Sequence, residues 1–568
     1  MSFVRLMIGG LAAACAVFGQ ADGPEPSRDH ARSVVATKYG IVATSQTLAS
    51  AAGVKILEAG GNAIDAAIAA NAVLGLVEPT GNGIGGDLFA IVYEAKTGKV
   101  YGLNSSGWAP GGLTPAFLES KGEKTMPMRG IWSATVPGAV AGWDALHKKF
   151  GRAKWADLFA PVIFYANEGY PVTEWIAGGW GSPRSRTLLE SHPNAAKLYL
   201  PGGKAPAAGE IFRNPDLAAS LKLIAAEGRP AFYSGAIAKK ILAISAELGG
   251  TFTAADLAEF QPEWVTPIST GYRGWTVSEL PPNGMGIAAL MMLNIMERYP
   301  LAEWGHNSTK TLHTMIEAKK LAYADLLRYI GDPRFSDLPV QQLLSKEFAA
   351  ERAKTMRQDR ASCDVVPGHL SALAALPGAD TIYMSATDRE GNMVSLIQSN
   401  YSGFGSGVVP AGAGFMLHNR GGLFTLDAKQ PNTLAPRKRP LHTIIPGFMA
   451  KGDTKIAFGI MGGWNQAQAH AQFVANVVDF RMNVQQALEA PRFTKATFPG
   501  CDVSIESRVD PLVRAELEKL GHSVTGAGAF SQAMGGGQAV MQNGTGVNFG
   551  GSDPRKDGAA IPESPRFK

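Results

Sequence analysis

The strongest constraint on this chain is a break in its pattern. From Pro367 to Asp380 the sequence is rich in Pro, Gly, Ala and Leu, with His369 and Asp380 as its only ionisable side chains. Such a stretch has neither helical nor strand periodicity and reads as an exposed, flexible tail. Directly after it, Thr381–Thr387 is β-prone, Asp388–Asn392 carries turn residues, and Met393–Gln398 returns as a second strand. The hairpin therefore opens on a threonine at a natural boundary. Cleavage before Thr381 would place an α-amine on the residue that carries the hydroxyl. That amine has a reference pKa of about 7.7–8.0, so near neutrality much of it is free base. It can accept the hydroxyl proton without a histidine, while the β-methyl restricts the rotamers of the oxygen. Local pattern alone favours an ordinary strand threonine.

Composition narrows the alternatives. The net charge is +5 over 568 residues, with no clustering of Lys and Arg to call for a nucleic-acid partner. Three cysteines, Cys15, Cys363 and Cys501, are too few for a disulfide scaffold or a zinc ribbon, and their pairing is left open. His313 and Glu317 stand at i, i+4, but two ligands make a poor metal site. No motif implies a metal or another cofactor. Glycine is abundant, 67 residues or about 12% against a usual ~7%. Gly81–Gly86 satisfies GxGxxG, yet a helix precedes it and a strand follows, the reverse of a dinucleotide site. The loop instead suits close backbone approach.

Residues 1–21 read as a signal peptide: Arg5, then an apolar run from Leu6 to Gly19, then small residues. The run is too short to span a membrane, so an exported protein with no membrane attachment after removal of the leader is expected. Beyond it, Ser45 is expected to cap a helix carrying Leu48, Ala52, Ile56 and Leu57, and Asn62 a helix over Ala63–Val77. Strands are expected at Leu88–Tyr93, Val100–Leu103, Thr443–Phe448 and Lys455–Ile460. Helices are expected at Ser308–Tyr329, Gln466–Phe480 and Val484–Glu489. Both element types occur in both halves, which gives an α/β or α+β class with layered sheets.

Several stretches together resemble the γ-glutamyltransferase family of self-processing N-terminal-nucleophile amidases. They are ASAAGVKILEAGGNAIDAAIAA (49–70), GIGGDLFAIVY (83–93), LHTMIEAKKLAYADLLRYIGDPRF (312–335), DTIYMSATDREGNMVSLIQS (380–399), PRKRPLHTIIP (436–446), MGG (461–463) and NVQQALEAPRF (483–493). The resemblance implies an α+β, four-layer αββα sandwich. It also implies cleavage of the Asp380–Thr381 bond into a large subunit, 22–380, and a small subunit, 381–568, held together as a heterodimer. Thr381 matches the nucleophile, Ser399 a second hydroxyl that contacts it, and Gly462 and Gly463 the pair whose amides form the oxyanion hole. The implied activity is cleavage of small-molecule γ-glutamyl amides, glutathione among them, through an acyl-threonine intermediate.

The sequence departs from the family where substrate is held. Ser106 stands where typical members carry an arginine for the glutamyl carboxylate. After Asn419 come Arg420, Gly421, Gly422 and Leu423, with no acid for the α-amine. His442-Thr443 replaces a serine pair, Tyr401 an asparagine, and the stretch between Phe424 and Lys438 leaves little room for a lid loop. Arg420 is a candidate carboxylate anchor by its fork geometry. The variant motif QSNYSGFGSG (398–407) is similar to the acylase and oxamate-amidohydrolase branches, which makes such an amidohydrolase the alternative on the same fold. An alternative of another class, a catalytically inactive exported binding protein, is opposed by the presence of Thr381, Ser399 and the glycine pair.

Overall fold

The computed structural model describes residues 30–365 and 381–565; the leader 1–21 and Asp380 lie outside the described residues. Two seven-stranded sheets dominate. One runs, edge to edge, Ala559–Pro562, Ile41–Thr44, Ile382–Thr387, Met393–Ser399, Asp87–Glu94, Lys99–Ser105 and Glu263–Val265, every pair antiparallel. The other runs Val35–Thr37, Asn548–Ser552, Gly537–Gln542, Thr454–Ile460, Gly447–Lys451, Trp275–Glu279 and Ile268–Tyr272, again antiparallel throughout. Each sheet thus combines strands from before and after residue 381.

The layers follow from which side chains alternate to which face. Phe89, Ile91, Tyr383 and Ile397 of the first sheet pack against Phe448, Ala457, Met461 and Val540 of the second, forming the inter-sheet core. On its other face the first sheet presents Met384, Ala386, Val394 and Leu396 to the helices Thr47–Glu58 and Ala63–Val77. The second presents Val277, Met449, Ile456 and Phe458 to the helices Gly286–Met296, Thr309–Tyr329 and Gln466–Val478. The order is helix, sheet, sheet, helix: an α+β sandwich. Burial of each such aliphatic side chain contributes about 1.5–3 kcal/mol.

Most expected elements form, with two instructive shifts. Asn62 caps Ala63–Val77 in a capping box with Asp65, and Ser308 caps Thr309–Tyr329. Ser45, however, is not a cap. Gln46 takes that place, its side chain accepting from Leu48 N and Ala49 N, while the Ser45 hydroxyl is drawn to the buried carboxylate of Glu78. The strand expected at Thr443–Phe448 begins only at Gly447. Pro446 has no N–H for a ladder, and His442 spends its backbone on Asn283 O and Met285 N instead. Cys363 and Cys501 form a disulfide, joining a residue before position 381 to one after it.

Candidate active site

The inter-sheet face turns polar at one end. In register, Ser399 lies opposite Asp87, and Ile382 opposite Gln398, which sets Thr381 across from Ser399. By alternation Thr381, Ser399 and Asp87 share the face of Tyr383, Ile397 and Phe89. Thr381 is 1% exposed, and its Oγ1 lies 3.0 Å from Ser399 Oγ. Ser399 Oγ also accepts from the Tyr401 N–H at 2.7 Å. That bond requires a sharp reversal after the strand, and Tyr401 makes it with φ +76°, a left-handed conformation that non-glycine residues adopt only at a cost.

The Gly81–Gly86 loop holds this reversal in place. Asn400 N donates to Gly81 O at 2.8 Å and Phe404 N to Thr80 O at 2.9 Å. A side chain at Gly86 would stand 2.5 Å from the Ser399 carbonyl oxygen, so glycine there lets the two backbones touch. The close-approach reading of the loop holds.

Behind the hydroxyl pair sits a fully buried charged cluster. Asp87 receives Arg420 Nε at 3.0 Å and Nη2 at 3.2 Å, and His442 Nε2 at 2.5 Å. Arg420 Nη1 donates to Thr443 Oγ1 at 2.8 Å, and its guanidinium stacks 4.6 Å from the Tyr401 ring centroid. Arg420 is therefore neither a surface residue nor an open anchor: its fork is closed on Asp87. Burial opposes the charge on Asp87, but Arg420 and His442 outweigh it and hold the carboxyl well below the usual carboxylate range. Burial, reinforced by Arg420, pushes the His442 imidazole down to about 4 despite Asp87. His442 is thus neutral near pH 7, with Nε2–H donating to Asp87 and Nδ1 accepting from Ile444 N at 3.3 Å.

A pH dependence follows. His442 binds its proton less tightly folded than unfolded, so its stabilising contribution is complete above about pH 6.5 and is lost as pH falls toward 4. Asp87, with a depressed pKa, loses its contribution only at lower pH still. Urea midpoints should therefore fall between pH 6.5 and 4.5, and His442→Gln should flatten that slope; an unchanged slope in the variant would assign it to other groups.

Ser106 is joined through Asn283 to the segment that carries His442. Its Oγ donates to Asn104 Oδ1 at 2.8 Å and accepts from Asn283 Nδ2 at 3.2 Å, and it is fully buried. Leu423 is buried too. Neither position offers a charge to a substrate. Gly462 and Gly463 follow the strand Thr454–Ile460, with φ +132° and +58°. Trp464, the next residue, is buried in one apolar cluster with Tyr401, and Gly462 lines a cleft of about 460 Å³.

Three participants escaped the sequence reading: Asp87, His418, which lies 3.3 Å from Asp87, and Asn283. Asp87 had a signal, being the one charge inside the apolar run Ile84–Val92. His313 and Glu317 gain a third neighbour in His522, all three within 4.8 Å. Yet Lys320 pairs with Glu317 at 2.6 Å and the two imidazoles bond each other at 2.8 Å, so the cluster is closed on itself.

With the buried hydroxyl pair of Thr381 and Ser399 described, comparison with known proteins gives the family. The family model described as Gamma-glutamyltranspeptidase matches residues 49–563. The chain belongs to that family. It is 38% identical over 537 residues to the Glutathione hydrolase-like YwrD proenzyme of Bacillus subtilis, covering 93% of this chain and 99% of that one. It is 35% identical to the Oxamate amidohydrolase proenzyme of Klebsiella pneumoniae, covering 92% and 98%. The crystal structure of cephalosporin acylase from Bacillus halodurans superposes with TM-score 0.86 at 43% identity, covering 96% and 99%. This family member is accordingly an amide hydrolase or transpeptidase of the N-terminal-nucleophile type.

Proposed function

We propose that the chain cuts itself between Asp380 and Thr381 and that the freed threonine then hydrolyses small acyl amides of the acylase type. The observation that carries the reading is the contact of Thr381 Oγ1 with Ser399 Oγ at 3.0 Å, at the head of a strand. Thr381 Oγ attacks the amide carbonyl as its proton passes to the Thr381 α-amine. The amides of Gly462 and Gly463 stabilise the oxyanion, each such donor contributing about 2.7–4 kcal/mol. Collapse expels the amine, which takes up the proton, and water resolves the acyl-threonine to a carboxylic acid.

The burial of Ser106 between two asparagines, with Leu423 beyond, favours this over γ-glutamyl recognition, which uses charged partners at those positions. A panel of γ-glutamyl, dicarboxyl-acyl and oxamate amides tests it. Preference for glutathione over every acyl amide would restore the γ-glutamyl reading.

Strands from both sides of residue 381 in each sheet support a heterodimer of the products. The 1–21 leader supports export, and the Cys363–Cys501 disulfide suits an oxidising compartment. The disulfide spans the cut, so thiol-blocked processed protein should run as one band on a denaturing gel without reductant and as two with it. Two bands without reductant would refute the cross-link.

A further inference from the structure

The disulfide between Cys363 and Cys501 is unequal at its two ends. Cys363 is exposed, whereas Cys501 is buried, at 7% exposure, beside the helix Thr309–Tyr329. From the buried face of that helix Lys320 sends its ammonium to three acceptors. They are Glu317 Oε1 at 2.6 Å, Ser362 O at 3.1 Å and Cys501 Sγ at 3.6 Å. An ammonium has three N–H bonds, so all are used and one is spent on the sulfur.

The other charges near Cys501 are committed elsewhere. Glu317 is bound to Lys320 and accepts from Ser362 N at 3.2 Å. Lys495 pairs with Asp502 at 2.8 Å, and Lys319 donates to Thr497 O at 2.8 Å. Burial and the Lys495 charge hold the Lys319 ammonium well below its usual range. His313 and His522 bond each other at 2.8 Å, and burial with the Lys320 charge pushes His522 down to about 3, so it is neutral near pH 7. At the other end of the disulfide the neighbour of Cys363 is an exposed acid, Asp364.

Thiol–disulfide exchange is attack by a thiolate on one sulfur with expulsion of the other as a thiolate. Access selects the sulfur attacked, and the stability of the departing thiolate selects the one expelled. Here both preferences point the same way, with open approach at Cys363 and an ammonium at Cys501. The reverse attack would need entry to a buried sulfur and would leave its thiolate beside Asp364. The bond also has a position that matters. Cys501 closes the loop that follows the strand Phe493–Thr494; Thr494 and Ala496 line the cleft beside Gly462, and Phe498 packs edge-on to Trp464 at 4.9 Å.

We propose that Cys363 is a modification site for small neutral thiols, opened by attack at Cys363 Sγ while Cys501 departs as a thiolate held by Lys320. The incoming thiolate forms an S–S bond to Cys363, the Cys363–Cys501 bond breaks, and its electron pair stays on Cys501. A second equivalent of thiol then frees Cys363 and carries away the oxidised thiol as its own disulfide. The site acts on the loop that walls the cleft, and its chemistry is independent of the amide-hydrolase reading.

The test uses the whole protein in a Cys15→Ser background and 2-mercaptoethanol as the thiol. After brief exposure, acid quench, denaturation and alkylation with N-ethylmaleimide, peptide mass spectrometry should find the mercaptoethanol adduct on Cys363 and the maleimide on Cys501. Lys320→Met should slow opening about tenfold, and Lys320→Arg should restore much of the rate. Tm and the double variant Glu317→Gln with Lys320→Met control for the carboxylate left unpaired. A second measurement keeps Lys320 in place: thiolate absorbance of Cys501 in Cys363→Ser, titrated against pH. Burial alone raises a thiol above its ordinary value of about 8.5, so a midpoint below that value reports the ammonium. An adduct on Cys501, equal adducts on both cysteines, an opening rate unchanged by Lys320→Met, or a Cys501 midpoint at or above about 8.5 would each overturn the proposal.

Discussion

Thr381→Ala should give a single uncut chain on a reduced denaturing gel, where the wild type should give two, and it should have no amidase activity. Both losses would have one cause, because in the proposed mechanism the hydroxyl that attacks its own peptide bond is the hydroxyl that later attacks substrate. Thr381→Ser separates the effects. It keeps the oxygen 3.0 Å from Ser399 Oγ but loses the methyl that limits its rotamers, so it should still process, more slowly. Ser399→Ala keeps the nucleophile and removes only its hydroxyl partner, and should slow both steps without abolishing them. Two bands from Thr381→Ala would place the cut, and hence the nucleophile, elsewhere.

The second large effect is expected at Asp87. Asp87→Ala leaves the fully buried guanidinium of Arg420 with Thr443 and the face of Tyr401 as its remaining partners. Uncovering one member of a buried pair costs about 3–5 kcal/mol. Asp87 also lies beside Ser399 in the sheet and holds His442, so activity should fall with stability. Replacing the pair together, Asp87→Leu with Arg420→Met, should recover much of the stability, because apolar substitutes for a buried ion pair are often neutral or better. Activity should stay low if the pair positions the site, and should return if its role is only structural. A urea midpoint for Asp87→Ala equal to that of the wild type would contradict the cluster as described.

The parts of this molecule that a sequence displays are those governed by local periodicity. Asn62 with Asp65, the 309–329 helix and the hairpin after residue 381 announce themselves through caps, spacing and turn residues. The hydroxyl pair was legible because Thr381 and Ser399 fall on one hairpin, where strand alternation fixes their shared face. Asp87, Asn283 and His418 were not, since they come together only when distant strands and loops meet. Arg420 shows the limit most clearly. Its fork suggested a carboxylate anchor, and the carboxylate it holds is the protein's own, 333 positions earlier in the chain. The later start of the Gly447–Lys451 strand has a similar origin, for the residues before it are committed to the site.

The mixing of strands from either side of residue 381 in both sheets bears on the life history of the molecule. Thr381 meets Ser399 within one hairpin, but that hairpin is enclosed only when Ile41–Thr44 and Asp87–Glu94 have paired on either side of it, so on the proposed reading folding comes before cutting, and the intact precursor is the species whose sequence encodes the fold. Such a cut would be a one-way door. Once it is made, unfolding exposes two fragments tethered by the Cys363–Cys501 disulfide alone, and where that bond is reduced the loop-closure advantage of a single chain is gone. The finished enzyme is then protected by the height of its unfolding barrier rather than by a reversible equilibrium. Its durability is a property inherited from a precursor that no longer exists.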